Sequence, residues 1–277
     1  MSKNDKVIIV TGASSGLGSA VAKCLADAGY TVFAGARSYK GTTLSDNNNL
    51  KKVYLDVTDQ ASIDSFINNI ISQKGKIDVL INCAAMLVLG SVEDTAIDEY
   101  EKVLNTNLIG TIRMCKAVLP HMRDNHSGLI INFSSIMGLL AIPFQSAYSA
   151  SKFAIEGFTE ALSMETKEFG IKVTLIEPTD HKSGSQKYRP HALLADDSGS
   201  AYRDVFLKVT SKIEYDESHG SEPESLANFV KKIIQCKNPK LRYKVGKFDQ
   251  RLSVLLKRIL PGRIFESVIY SYYNSGK

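Results

Sequence analysis

The chain predicts an α/β protein: a doubly wound parallel sheet in a single domain, with a helical extension at its C-terminus. Three observations carry this. Short β-branched runs alternate with segments of helical period. The runs are continuously apolar, as strands buried on both faces must be. A glycine-rich turn joins the first run to the first helical segment. Right-handed crossovers then lay helices on both faces of the sheet.

The elements follow in order. "KVIIV" (6–10) is a strand and 16–28 a helix; "YTVFAGA" (30–36) and "KKVYLDV" (51–57) are the second and third strands. Ile63, Phe66, Ile67, Ile70 and Ile71 recur at i, i+3, i+4, i+7 and i+8, one face of an amphipathic helix. "KIDVLIN" (76–82) is a fourth strand, 98–122 a long helix stopping near Pro120, "GLIINFS" (128–134) a fifth strand, 148–168 a helix and "GIKVTLIE" (170–177) a sixth strand. Residues 179–222 are polar and without a strong period. A loop that long in a compact domain has a function of its own or no order, and it reads as a substrate lid. A helix restarts at "SEPESLANFVKKII", with Ser221 as cap and Pro223 at its first position. Residues 1–249, lid included, form the predicted doubly wound domain, and 250–277 the amphipathic extension.

The 277 residues, 44% of them hydrophobic, suffice for one buried core. No apolar run is long enough to cross a bilayer. The N-terminus runs straight into a strand rather than a secretory leader, so a cytoplasmic protein is expected. Cys24, Cys83, Cys115 and Cys236 are scattered, without metal-ligand spacing, and read as free buried thiols; the five histidines form no cluster, so no metal site is expected. Of the net charge of +5, the basic share lies at the C-terminal end: 231–263 holds eleven Lys or Arg against the single acid Asp249.

The loop "VTGASSGLG" (10–18) stands between a strand and a helix. Phosphate binding needs close backbone approach and free N–H groups at a helix N-terminus, and Gly12, Gly16 and Gly18 supply the approach. Ser14, Ser15 and Leu17 complete this dinucleotide-binding turn of Rossmann type. An NAD site places a carboxylate after the second strand for the ribose 2′-hydroxyl. Here the residues are Gly35, Ala36 and Arg37. A guanidinium suits a 2′-phosphate, so the expected cofactor is NADP(H).

In "SAYSASKFA" (146–154), Tyr148 and Lys152 are four apart and share a helix face, and Ser135 lies 13 positions before Tyr148. A free phenol titrates near ~10. A neighbouring ammonium favours the phenolate and tunes Tyr148 toward acid–base work, while Ser135 donates to the substrate oxygen. The small residues around the pair let this helix pack closely on sheet and cofactor.

With these motifs in view, the chain resembles the short-chain dehydrogenase/reductase family, in its short single-domain branch, closely over residues 6 to about 178. Ser135, Tyr148 and Lys152 match the family's catalytic serine, tyrosine and lysine, and Asn107 in "NTNLIG" its active-site asparagine. The resemblance implies that Lys152 also binds the nicotinamide ribose and that Asn107 holds a proton-relaying water. It implies cofactor contacts from Asp56, which would bond the adenine amino group, from Val57, from Asn82 and Ala84 of "NCAA", and from Pro178, Thr179, His181 and Ser183 beside the nicotinamide. Ala85 stands where glycine is usual, and Thr179 replaces a glycine after Pro178. A β-branched residue is costly where φ is positive. His181 reads as an exposed loop residue. A homodimer or homotetramer through the helices bearing Asn107 and Tyr148 is implied.

The resemblance implies a small-molecule carbonyl/alcohol pair as substrate. Lid residues Lys187, Tyr188, Arg189, His191 and Tyr202 name no substrate class, but "NPKLRYKVG" (238–246) resembles a segment of family members acting on steroids, retinoids and other lipophilic carbonyls. Leu252, Leu255, Leu256 and Ile259 form one apolar stripe, and Phe265, Val268, Ile269 and Tyr272 a second, with cations beside the first. Amphipathic helices mostly face a core, which favours packing over the pocket or on another subunit; peripheral contact with an anionic membrane is the alternative. No nucleic-acid motif accompanies the basic patch. A nucleotide-binding sensor without turnover is the competing function, resting on Thr179; the Ser–Tyr–Lys set argues against it.

Overall fold

The computed structural model describes residues 5–41, 49–184 and 189–274. Seven strands form one sheet: β1 (Val7–Thr11), β2 (Thr31–Ala36), β3 (Leu50–Tyr54), β4 (Val79–Asn82), β5 (Gly128–Phe133), β6 (Ile171–Pro178) and β7 (Arg242–Val245). Their order is β3-β2-β1-β4-β5-β6-β7, every neighbouring pair parallel. The order reverses between β1 and β4, and the crevice at such a switch point is where these sheets bind ligands.

Both faces are covered because successive strand side chains point to opposite sides. Ile8 and Val10 join the core under α1 (Gly16–Asp27) and α7 (Pro223–Gln235). Val7 and Ile9 join the core under α2 (Gln60–Lys74) and α4 (Gly110–Asp124). Asp59 caps α2 by accepting from Ala61 N, and Gly75 ends it in the left-handed conformation.

Several expectations need correction. The helix expected over 98–122 is α3 (Ile97–Leu104), a π turn (Asn105–Ile109) and α4, and Pro120 lies inside it; Asn125 N closes the last turn on His121 O. The stretch 179–222 contains a helix, α6 (Arg203–Ser218), whose buried Phe206, Val209 and Ile213 fall on one face among charged residues that blur the period. Ser221 does not cap α7; Glu222 takes that position, with Pro223 first as expected. β7 was unforeseen because it is a short, basic edge strand. Its Arg242 pairs with Glu156, Glu160 and the fully buried Glu177, which offsets the cost of burying that carboxylate. Of the four free thiols only Cys115 is buried; Cys24 and Cys83 are half-buried and Cys236 is exposed. Lid residues Lys187 and Tyr188 lie outside the described residues.

Two last helices, α8 (Phe248–Ile259) and α9 (Gly262–Asn274), follow β7. Val254 and Phe265 pack with Leu140, Ile136, Leu139 and Ile142. The extension therefore rests on the loop that follows Ser135. No described helix is long and apolar enough to cross a membrane.

Candidate active site

The glycine loop closes on β4. Gly12 has φ 66°, and a Cβ there would lie 2.6 Å from Ala84 Cα; Gly16 has φ 53°, and a Cβ on Gly18 would strike Gly12 O. Thr11 Oγ1 accepts from Cys83 N at 3.1 Å and Ala84 N at 3.0 Å, tying the two segments together. Ser15 is the N-cap of α1 but makes no side-chain cap, and Ser14 and Ser15 are exposed. The missing side chains let the turn close tightly on itself and on the segment after β4, and the first N–H groups of α1, left without a side-chain cap, are donors that suit a pyrophosphate. Leu17 packs on the core beneath.

Arg37 is exposed at the start of a 3₁₀ turn (Arg37–Tyr39) directly after β2. Tyr39 OH donates to Ala13 O at 3.0 Å, which folds this turn over the glycine loop. Lys52 lies over the Tyr39 ring at 5.9 Å, adding a second cation. Asp56 Oδ1 accepts from Thr58 N and Oγ1, and Val57 is buried where Gly110 brings α4 close. The Asn82 side chain serves the sheet: its amide donates to Asn132 Oδ1 at 2.9 Å.

Ser135, Tyr148 and Lys152 come together. β5 delivers Ser135, and α5 (Ser146–Glu165) presents Tyr148 and Lys152 one turn apart. The Ser135 hydroxyl is hydrogen-bonded to the Tyr148 phenol and accepts from Met137 N at 3.1 Å. Lys152, 2% exposed, donates to Phe133 O at 2.8 Å, with its ammonium 5.4 Å from the centre of the Tyr148 ring. Burial lowers the Lys152 pKa to about 8, with Cys83 opposing.

The phenol departs from expectation. Burial raises its pKa first, and Glu217, Cys83 and Asp180 raise it further; only the Ser135 bond lowers it. Lys152 is not among the groups that move it, and its ammonium donates to Phe133 O. The chain's own groups therefore hold Tyr148 protonated, the form that donates.

Asn107 is fully buried in the π turn, a distortion that turns its side chain inward. Oδ1 accepts from Met86 N at 2.7 Å, and Nδ2 donates to Met86 O at 2.9 Å and Ser151 Oγ at 3.0 Å. It thereby fixes the loop after β4 against α5.

At the end of β6, Pro178 pairs with Val245 of β7, and Thr179 has no positive φ; the positive φ belongs to Gly246, at 120°. Thr179 N donates to Val245 O and Thr179 Oγ1 accepts from Lys247 N, both at 2.9 Å. His181 is not the exposed residue expected. It is 4% exposed, Nδ1 meets Thr179 O at 2.8 Å, and burial lowers its pKa. It is a neutral imidazole whose Nε2 has no partner among the described residues. Ser183 O lies 3.3 Å from where a Gly16 Cβ would stand, so this segment arches over the phosphate cradle.

Sequence reasoning missed the lid's contribution. Glu217 of α6 pairs with Arg189 at 2.6 Å in a buried ion pair, and Asp180 exchanges hydrogen bonds with Gln250 of α8. Phe144 adopts φ 61° and sets its ring edge-on to Phe206 of α6, centroids 5.4 Å apart. None of these pairs is local, so no spacing signalled them. Among the described residues no cluster of His, Cys, Asp or Glu could hold a metal ion.

The family model of the short-chain dehydrogenases matches residues 6–193. A 3-ketodihydrosphingosine reductase of Bacteroides thetaiotaomicron is 40% identical over 271 residues, covering 97% of this chain and 98% of its own. Retinol dehydrogenase 8 of Bos taurus is 32% identical over 259 residues, covering 87% and 82%. A short-chain dehydrogenase structure from Streptomyces avermitilis superposes with a TM-score of 0.78 at 27% identity, over 98% of each chain.

Proposed function

This chain belongs to the short-chain dehydrogenase family and is a carbonyl/alcohol oxidoreductase, and we propose that it works with NADP(H) on a lipophilic ketone or aldehyde in the cytoplasm. The observation that carries the chemistry is the convergence of Ser135, Tyr148 and Lys152. A dinucleotide held at its pyrophosphate by the glycine loop would supply or accept the hydride. Ser135 orients the carbonyl oxygen, and Tyr148, protonated and buried, donates its proton as charge develops there. Lys152 holds its positive charge beside the phenol and offers donors to ribose hydroxyls. Asn107 positions the Met86 loop and, through Ser151, the helix that carries the pair.

Arg37, with no carboxylate on the preceding strand end, supports the 2′-phosphate cofactor. The relative named for 3-ketodihydrosphingosine reduction, together with Met86, Leu87, Phe144 and Phe206 clustered with Ala147, the residue before Tyr148, supports a long apolar carbonyl. Four unpaired thiols suit a reducing compartment. Residues 1–249 are read as the catalytic unit, 250–277 as its cover, and the assembly as a homodimer or homotetramer. The sensor reading rested on Thr179, and Gly246 now accounts for that residue.

NADPH and NADH oxidation over a carbonyl panel, with 3-ketodihydrosphingosine, retinal and small diketones, tests this. NADPH-dependent turnover is expected, lost in Tyr148→Phe while cofactor binding persists. Arg37→Asp is expected to shift preference toward NADH. NADH preference in the parent chain would overturn the cofactor assignment, and unchanged turnover in Tyr148→Phe the mechanism.

A further inference from the structure

The amphipathicity of α8 is reversed. Phe248, Leu252, Leu255, Leu256 and Ile259 recur at i, i+4, i+7, i+8 and i+11 and share one face. In a globular protein that stripe turns to the core. Here it turns away: Phe248 is 75% exposed, Leu255 50% and Ile259 68%. The inward face carries Val254 and the cation Lys257, whose ammonium donates to Leu139 O at 2.7 Å and lies 4.9 Å from the Phe153 ring centre. After the break at Pro261–Gly262, α9 buries Phe265 but leaves Ile264 and Val268 exposed.

Charge selects the occupant. Arg251 and Arg258, seven residues apart, line one flank of the stripe, and Arg263 stands at the head of α9; all three are exposed. The acids nearby are Asp249 and Glu266. A second copy meeting this face about a two-fold axis would set its basic flank against itself. An anionic lipid surface takes both the apolar stripe and the cations. The same helices back onto Ile136, Leu139 and Ile142, in the loop between Ser135 and Tyr148. A face that lies in the bilayer interface there would hold the mouth of the site against the source of a lipophilic substrate.

We infer that α8 and α9 form a docking surface for an anionic membrane, lying in the interface without spanning it. The inference deepens the lipophilic-substrate reading and rests on it only for its purpose, since vesicle binding is measured without turnover.

The test is co-sedimentation of the full chain with vesicles of phosphatidylglycerol and phosphatidylcholine in equal parts, and of phosphatidylcholine alone, at low and high salt. Binding to the anionic vesicles that weakens with salt is expected. The Leu255→Asp/Ile259→Asp variant should bind roughly a hundredfold more weakly. The Arg251→Gln/Arg258→Gln/Arg263→Gln variant should lose about fivefold per residue. All five positions are exposed. Circular dichroism and turnover of a water-soluble diketone should be unchanged in both variants. Three results overturn the inference: no pelleting with anionic vesicles, binding unaffected by either variant, or a concentration-dependent dimer broken by Leu255→Asp/Ile259→Asp without vesicle binding. Vesicle binding by a chain that turns over no carbonyl would leave docking standing and remove the enzymatic reading instead.

Discussion

The hydroxyl of Thr179 occupies the space that any side chain on Gly246 would need: a Cβ built there overlaps Thr179 Oγ1. The two residues form a matched pair across the β6–β7 edge. The position after Pro178 carries a β-branched residue because the backbone freedom lies at 246, where φ is 120°. Gly246→Ala should cost about 3 kcal/mol, from strain and overlap together. Thr179→Gly should cost about 1 kcal/mol, leaving the Lys247 N–H without its acceptor. In the double variant the overlap is gone, so its cost in urea unfolding should be clearly less than the sum of the two single costs. Strict additivity would show that the residues do not compete for this space.

Lys152 trades stability for chemistry. Its pKa is about 8 in the folded chain against an ordinary 10.5, by burial. The unfolded chain binds the extra proton between those values, so the penalty is complete below pH 8 and fades as pH rises toward 10.5. At neutral pH the penalty is at most about 3 kcal/mol. Lys152→Met should therefore unfold at higher urea than the parent at pH 7, lose the parent's gain in stability above pH 8, and have no useful turnover. A less stable variant at pH 7 would mean that the Phe133 O bond outweighs the buried charge.

Asp180 works with the opposite sign. Burial raises its carboxyl from 3.8 to about 6, against the hydrogen bond from Gln250. The folded chain binds the extra proton in that window, so stability falls as pH climbs from about 4 to 6. Asp180→Asn keeps an acceptor for Gln250 and should flatten this slope, gaining at most about 3 kcal/mol at pH 7. Urea midpoints at pH 4.5, 5.5 and 7 measure it, and parallel curves for parent and variant would refute it.

One aromatic contact helps to anchor the lid. Phe144 holds a left-handed backbone while its carbonyl accepts from Gly90 N at 3.1 Å and its ring meets the fully buried Phe206. Phe206→Ala should cost about 3 kcal/mol and speed hydrogen exchange across α6. Phe144→Gly should cost less, because lost ring contact is partly offset by relief of about 1 kcal/mol of strain. Equal costs would mean that Phe144 is unstrained.

Much of the catalytic centre was legible because its signals are local. Tyr148 and Lys152 share a face by virtue of one helical turn, and Gly12, Gly16 and Gly18 stand in a strand–turn–helix that bends only where the Cβ is missing. Helix α6 was hidden because its apolar residues are diluted by charge, and β7 because a basic edge strand lacks the apolar run that marks a buried one. The reading of His181 as exposed failed for a related reason. A short polar segment says nothing of what folds over it, and here β7, Gly246 and α8 do.

By itself the sequence determined the parallel sheet, its helical layers and the positions of Ser135, Tyr148 and Lys152, because apolar period and backbone geometry act over a few residues and are written in their order. Tertiary structure alone decided that Lys152 spends its ammonium on Phe133 O, that the phenol's pKa rises, that Thr179 answers Gly246, and that α8 turns its apolar face outward. Each depends on which groups, distant in the chain, exclude water from one another, and that is settled only when the whole core has closed.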